Sequence, residues 1–219
     1  MDGSAFVMLA PVPTTARAMS DSEFLPPAQW DALREAYATP PRAYHDFAHV
    51  EEVLRHYDEV ANGPGWEQPQ EVRLAVLYHD AIYEAGRKDN EARSAELAVE
   101  HIARWLPDRG IDVARVAKLI NLTARHGSLG LGDVDRDAAL FLDCDMAILA
   151  ADAATFAAYD RGITAEYRGL VPAWLFKLNR RRFLKGLLVK ERIFLSDWFH
   201  ERLDAKARIN LRRAVTEKR

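Results

Sequence analysis

Cysteine is nearly absent from this chain, which has only Cys144 among its 219 residues. A single thiol can form no internal disulfide, so nothing in the sequence ties the fold to an oxidising compartment. Long apolar runs are also lacking. The run AFVMLAPV at 5–12 is far shorter than the roughly 20 residues that cross a bilayer, and Asp2 stands where an export signal carries Lys or Arg. We therefore expect a cytoplasmic protein without a membrane partner.

Charge of one sign is not in large excess, because the formal net charge is only -3. Such a chain has no basic field to attract nucleic acid, so its expected partners are small molecules rather than polymers. With 49% hydrophobic residues it can bury a substantial core. The sequence leaves the oligomeric state open.

The period-two alternation of β-strands is missing as well, whereas helical periodicity is present almost everywhere after residue 26. In the stretch 45–61, apolar residues recur at intervals of three and four, and 71–83 is apolar nearly all round. Residues 1–25 show no sustained period. We therefore predict an all-α protein, with a flexible lead-in at 1–25 and a single helical domain at 26–219.

Polar residues interrupt three of these apolar helices. The interruptions come in pairs: His45 with His49, His79 with Asp80, and Asp143 with Asp145. A buried charged group is costly unless it is paired or binds a metal. Imidazole and carboxylate together suit divalent Mn, Fe, Co, Ni or Zn, and few protein ligands leave positions open for water and substrate. The sequence therefore predicts a catalytic type of metal site. The other interpretation, a hydrogen-bonded core or surface histidine, is the one we adopt for His56, His101 and His200.

The order of these motifs resembles the HD superfamily of metal-dependent phosphohydrolases, and more closely a bacterial family of predicted HD-type phosphohydrolases. The stretches that carry the resemblance are YHDFAHVEEVL at 44–54, AVLYHDAIY at 75–83, DNEARSAELA at 89–98, LTARH at 122–126, FLDCDMAIL at 141–149, IxAEY at 163–167 and ARINL at 207–211. The resemblance implies an HD-domain-like helical bundle with a metal site between helices. It also implies hydrolysis of a phosphoester or phosphoanhydride, with a nucleotide or another small phosphorylated metabolite as substrate.

Particular residues receive roles from this resemblance. The implied metal ligands are His49, His79, Asp80 and Asp143, with Asp145 supporting them or capping the helix, although the reverse assignment of the two later aspartates stays open. The metal would be one of the transition ions above, or Mg. Asp80 would also steer the attacking water. His45 would donate a proton to the leaving oxygen. His126 is the candidate for a second metal or for supporting the first, and one metal is our preference.

Four further residues have two interpretations each. Glu91 would orient or deprotonate the catalytic water, or would only complement the dipole at a helix start. Arg180, Arg181 and Lys185 would contact phosphate, or would form a solvated basic helix face. Asn179, just before this cluster, stands where the family tends to have glycine.

The sequence leaves three other functions open. An HD-fold di-iron oxygenase needs additional histidines, of which His126 is one. A non-catalytic helical ligand-binding protein would use the polar cluster only as structure. A zinc protease would present His45 and His49 as an H-x-x-x-H pair, with Asp46 in place of the usual catalytic glutamate.

Overall fold

The computed structural model describes residues 24–216, and this part of the chain contains α-helices and no β-strand, which confirms the all-α prediction. The helices are α1 (Pro27–Ala38), α2 (Phe47–Ala61), α3 (Pro69–Tyr78), α4 (Asn90–Trp105), α5 (Val113–Thr123), α6 (Arg136–Met146), α7 (Ala153–Glu166), α8 (Ala173–Leu188) and α9 (Asp197–Thr216). A 3₁₀ turn, Ala147–Ala150, extends α6. Most of the predicted lead-in lies outside the described residues, but its last two members, Phe24 and Leu25, are buried in the core.

Helix α3 lies at the centre of the molecule, as its apolar composition predicts. Its residues from Val72 to Tyr78 are buried, and the helix packs against α2, α4, α5 and α6. The helix ends at Tyr78, so His79 and Asp80 lie in the turn that follows and not inside a helix extending to residue 83. The polar pair therefore stands at the end of the most buried element.

Helix α2 begins later than its first histidine. Asp46 is the N-cap, and its side chain accepts hydrogen bonds from the backbone N–H groups of Ala48 and His49. His45 therefore precedes the helix, while His49 lies in its first turn. The two histidines are presented by different local structures and have different surroundings.

No helix within residues 24–216 combines the length and the apolar composition that a membrane span requires.

Candidate metal centre

Three side chains from separate parts of the sequence converge beside the end of α3. They are His49 from α2, His79 from the turn after α3, and Asp145 from α6. The Nε2 atoms of the two histidines are 3.1 Å apart, and Asp145 Oδ1 is 3.1 Å from His49 Nε2 and 3.7 Å from His79 Nε2. These ligand atoms all lie within 4.8 Å of one another, so the group can hold a metal ion.

The spacing of the two histidines fits a shared ion. Two nitrogens that are each roughly 2.1 Å from one metal lie about 3 Å apart at ordinary coordination angles. His79 Nδ1 is 2.8 Å from the carbonyl oxygen of Val76, which can only accept, so Nδ1 carries the proton. In the neutral ring the lone pair of His79 Nε2 faces the centre, and the backbone contact fixes the ring in that orientation. Without a metal, the carboxylates of Asp80 and Asp145 raise the pKa of His79 well above its usual value despite its burial.

Asp80 lies beside the same two nitrogens. Its Oδ2 is 3.2 Å from His79 Nε2 and 3.7 Å from His49 Nε2. Burial alone would raise the pKa of Asp80, but the imidazoles of His79 and His45 hold it well below its usual value. Burial likewise opposes ionisation of Asp145, yet the pKa of that carboxyl is lowered, chiefly by His126 and His49. Both carboxylates are therefore anionic at neutral pH, which is the form that binds a cation.

Asp143, the predicted metal ligand of the aspartate pair, does not lie with the two histidines. Asp145 does, which is the reverse assignment that the sequence left open. On α6 the two aspartates are two residues apart, which separates their side chains by about 200° around the helix axis, so only one can face the centre. Asp143 points the other way and accepts hydrogen bonds from Leu195 N, Ser196 N and Ser196 Oγ at 2.6–2.7 Å. Burial raises the pKa of Asp143 to about 7 despite these donors. Asp143 thus fixes the segment before α9, and Asp145 takes the place beside the histidines.

His126, just beyond the end of α5, reaches the other oxygen of Asp145. Its Nε2 is 3.1 Å from Asp145 Oδ2, yet the atom is buried and forms no hydrogen bond within the described residues. Burial lowers the pKa of His126, which favours the neutral ring with a lone pair for a ligand. One oxygen of Asp145 therefore faces His49 and His79, and the other faces His126. A carboxylate that bridges two metal ions has this arrangement.

Glu91 lies in the first turn of α4. Its charge acts to raise the pKa of His126, against the larger effect of burial. No hydrogen bond or ion pair joins Glu91 to His79 or Asp80 within residues 24–216. A role in orienting water thus stays a prediction.

His45 is held by a carboxylate that sequence reasoning gave no role. Its Nδ1 is 2.7 Å from Glu166 Oε2, and its ring stacks on Tyr83 with the ring centroids 4.0 Å apart. The second oxygen of Glu166 accepts hydrogen bonds from the backbone N–H groups of Ala43, Tyr44 and His45. Glu166 therefore fixes both the backbone and the ring of His45. Its only signal in the sequence was one acidic residue in ITAEY at the end of α7.

The charge on His45 is set by opposing effects. Burial lowers the pKa of its imidazole, whereas the carboxylates of Asp80 and Glu166 raise it, and the net shift is upward. Because Nδ1 is occupied by Glu166, Nε2 is the nitrogen that remains for another partner. His45 therefore lies beside the cluster of His49, His79 and Asp145 with a raised pKa, which favours the protonated ring.

Arg42 joins the turn that carries His45 to the turn that carries His79 and Asp80. The sequence alone gave no reason to assign it a role. Its guanidinium donates to four backbone carbonyls, those of Ala36, His45, Asp80 and Ala81, at 2.5–2.9 Å. Two of these carbonyls lie just past the end of α3 and one belongs to the histidine turn. The side chain thus fixes the separation between His45 and the His79–Asp80 turn.

The three predicted phosphate contacts lie in different environments. Arg180 is half-buried, with its guanidinium over the ring of Tyr159 and its Nε 3.3 Å from Asp160 Oδ1. Tyr159 contacts Tyr44, whose ring lies against His49, so Arg180 is two aromatic rings away from the cluster. Arg181 and Lys185 are exposed and have no contact with the centre.

The three histidines interpreted as structural residues each lie beside one polar side chain outside the candidate metal centre. His101 Nδ1 is 3.0 Å from the hydroxyl of Tyr78, His56 Nδ1 is 3.1 Å from Glu59 Oε2, and His200 Nδ1 is 3.3 Å from Asp204 Oδ1. None of them belongs to the cluster of His49, His79 and Asp145.

Comparison with known proteins adds no relative to this picture. The chain matches no family model, no curated protein and no solved structure. The resemblance to HD-type phosphohydrolases therefore stays a prediction from the sequence motifs.

Proposed function

We propose that this protein is a metal-dependent phosphohydrolase that cleaves a phosphoester or phosphoanhydride in a nucleotide or another small phosphorylated metabolite. The observation that carries the proposal is the pairing of two unlike sites: a cluster of two histidines and a carboxylate that can hold a metal, and beside it a histidine held by the carboxylate of Glu166. Hydrolysis of a phosphate ester needs both charge neutralisation and a proton for the leaving oxygen. The small net charge and single cysteine fit a small-molecule enzyme of the cytoplasm.

The residues that would hold the ion are His49, His79, Asp145 and Asp80. Two imidazole nitrogens with carboxylate oxygens favour a divalent transition ion such as Mn, Fe, Co, Ni or Zn. When bound, such an ion supplies positive charge to the phosphate and lowers the pKa of its water toward roughly 7. The protein's own contribution is to keep the carboxylates ionised and the His79 ring fixed by Val76.

His45 would supply the proton. Glu166 holds Nδ1, so the proton would leave from Nε2, and the charges of Asp80 and Glu166 raise the pKa of the ring, which favours its protonated form. A positioned general acid contributes roughly 100- to 10,000-fold to the rate. The stacking on Tyr83 prevents the ring from turning away.

The test separates the two sites. Purified protein is analysed for metal and assayed on a panel of phosphomonoesters, phosphodiesters and nucleotides with the metal found. We expect His49→Ala and His79→Ala to lose metal and hydrolysis together, whereas His45→Ala keeps metal and loses hydrolysis. His101→Ala, which removes a histidine outside the centre, is the matched control and keeps both. Metal binding and hydrolysis that survive His79→Ala would refute the proposal.

A second candidate function, a di-iron oxygenase, is favoured by one observation. Asp145 lies between His126 and the pair His49 and His79, as a ligand shared by two ions would. Two iron atoms per chain together with oxygen consumption would select this function. One ion per chain, or hydrolysis with no oxygen uptake, would select the phosphohydrolase.

The remaining alternatives have less support. A non-catalytic ligand-binding protein accounts for the cluster as structure, and it predicts no bound metal and no thermal shift with Mn or Ni. A zinc protease would need His45 and His49 on one helix. Because α2 starts at Phe47 and Asp46 caps it, we do not propose that function.

A further inference from the structure

Exposed apolar side chains are concentrated in one short part of the chain. Eight large hydrophobic residues are exposed among the described residues, and five of them fall between 170 and 189: Leu170, Trp174, Leu178, Phe183 and Val189. Trp174 is 68% exposed and Val189 is 85% exposed. Three of them, Trp174, Leu178 and Val189, recur at helical spacing on one side, and such a shared apolar side differs from scattered single residues.

Helix α8 presents this cluster because only one side of it packs on the protein. Of its 16 residues only Leu184 and Leu187 are buried, and both lie on the inward side. Trp174, Leu178 and Lys185 follow one another at helical spacing on the opposite side. The inward side of α8 packs on α9, and its half-buried Arg180 contacts Tyr159 and Asp160 of α7.

The same outward side is cationic. Helix α8 contains five basic residues and no acidic one, in a chain whose net charge is -3. Arg181, Arg182 and Lys185 are exposed and form no ion pair within residues 24–216. Arg181 and Lys185 are predicted phosphate contacts, but neither side chain reaches the candidate metal centre. The exposed cations therefore need another anionic partner or are merely solvated.

We propose that the outward face of α8, defined as Trp174, Leu178, Arg181, Arg182, Lys185 and Val189, docks on the surface of an anionic lipid bilayer. Basic side chains neutralise lipid phosphates, their stems lie along the acyl boundary, and Trp is favoured at that depth. The expectation of no membrane partner came from the lack of a spanning segment, and docking from one side needs none.

Two other occupants fit the face less well. A two-fold dimer through this face would set Arg181, Arg182 and Lys185 of one copy against the same cations of the other. A nucleic acid would accept the cations but offers little to the aliphatic Leu178 and Val189, since such sites rely on stacked aromatics. The bilayer satisfies both the charge and the aliphatic surface.

The experiment uses the full chain with vesicles of phosphatidylcholine alone or mixed with phosphatidylglycerol. We expect salt-sensitive co-sedimentation with the mixed vesicles only, and a blue shift of tryptophan emission that is lost in Trp174→Phe. Replacing Arg181 and Lys185 together by glutamate should weaken binding by roughly 30-fold or more, from the loss of two cations near the surface. Both side chains are exposed, so the melting temperature should not change.

The control makes the same change of net charge elsewhere. Lys206 and Arg212 on α9 are exposed, and their joint replacement by glutamate should leave vesicle binding within a few-fold of the unmodified protein. The proposal is overturned if the unmodified protein ignores the mixed vesicles, or if both double variants lose binding equally. It is also overturned if the Trp174 emission shifts with protein concentration alone, or with single-stranded nucleic acid but not with lipid.

Discussion

At the scale of single residues, the two aspartates of α6 show how far sequence reasoning reaches. Two charged residues in a buried helix indicate a functional site, and helical geometry indicates that Asp143 and Asp145 face different ways. Neither argument says which one faces His49 and His79, because that depends on the rotation of α6 about its axis. The packing of α6 against α2 and α3 fixes that rotation.

The role assigned to Asp143 predicts a loss of stability without a loss of metal. In Asp143→Asn the side chain keeps one acceptor but turns an NH₂ group toward the N–H groups of Leu195 and Ser196. A buried donor left without an acceptor costs about 1–3 kcal/mol, and thermal or urea unfolding should show a decrease of that size. Elemental analysis should find metal still bound. Asp152→Asn, at an exposed helix cap, is the control and should change stability less; loss of metal from Asp143→Asn alone would contradict the assignment.

Glu166 is a positioning residue for His45, which predicts a pH effect. In the proposed hydrolysis His45 must be protonated to donate, so the rate should fall as pH rises through its pKa. Because Glu166 raises that pKa, Glu166→Gln should move the alkaline limb of the kcat profile to lower pH. Turnover should fall by roughly 10- to 100-fold, part of what a general acid contributes.

The metal content of Glu166→Gln should be unchanged. Glu59→Gln, which changes the partner of His56 outside the centre, should leave the profile as it is. An unchanged alkaline limb in Glu166→Gln would show that Glu166 does not act through His45.

At the scale of elements, the sequence predicts where the helices lie, but it does not predict where some of them end. The apolar pattern of LAVLYHDAIY continues through His79 and Asp80, so periodicity alone extends the helix to residue 83. The structure ends α3 at Tyr78, where the freed carbonyls of Asp80 and Ala81 bind the Arg42 guanidinium. A contact between residues 38 positions apart in sequence leaves no local pattern.

The substitution Arg42→Lys tests whether Arg42 stabilises the end of α3. A compact ammonium group cannot reach four carbonyls that a planar guanidinium reaches with two nitrogens, so at least one buried acceptor is left unpaired. We expect a loss of roughly 1–3 kcal/mol in the free energy of unfolding, together with weaker metal binding, because the His45 and His79 turns loosen.

The matched control is Arg34→Lys. Arg34 is exposed and packs over the rings of Trp30 and Phe47 without holding a turn of the centre. Its replacement should leave metal affinity unchanged. Equal effects of the two substitutions on metal affinity would show that Arg42 has no special part in the centre.

At the scale of the whole molecule, the centre is assembled from α2, the turn after α3, α6 and α7. Polar residues in apolar helices pointed to His49, His79, Asp80 and the aspartate pair, because burying such groups is costly unless they have partners. Glu166 lies 121 residues from His45 in sequence, and it stands at an ordinary helix end. Partners of this kind become visible only when the chain is folded.

The central claim, that His49, His79 and Asp145 hold a divalent metal, is tested most directly by a metal titration followed by thermal unfolding. Asp145→Asn is compared with the unmodified protein. With metal at 100 times its dissociation constant, the unmodified protein should gain about 2.7 kcal/mol of stability, and a chelator should remove that gain. Asp145→Asn should show little or no gain at the same metal concentration. Equal stabilisation of both proteins, or no metal-dependent change in the unmodified protein, would contradict the claim.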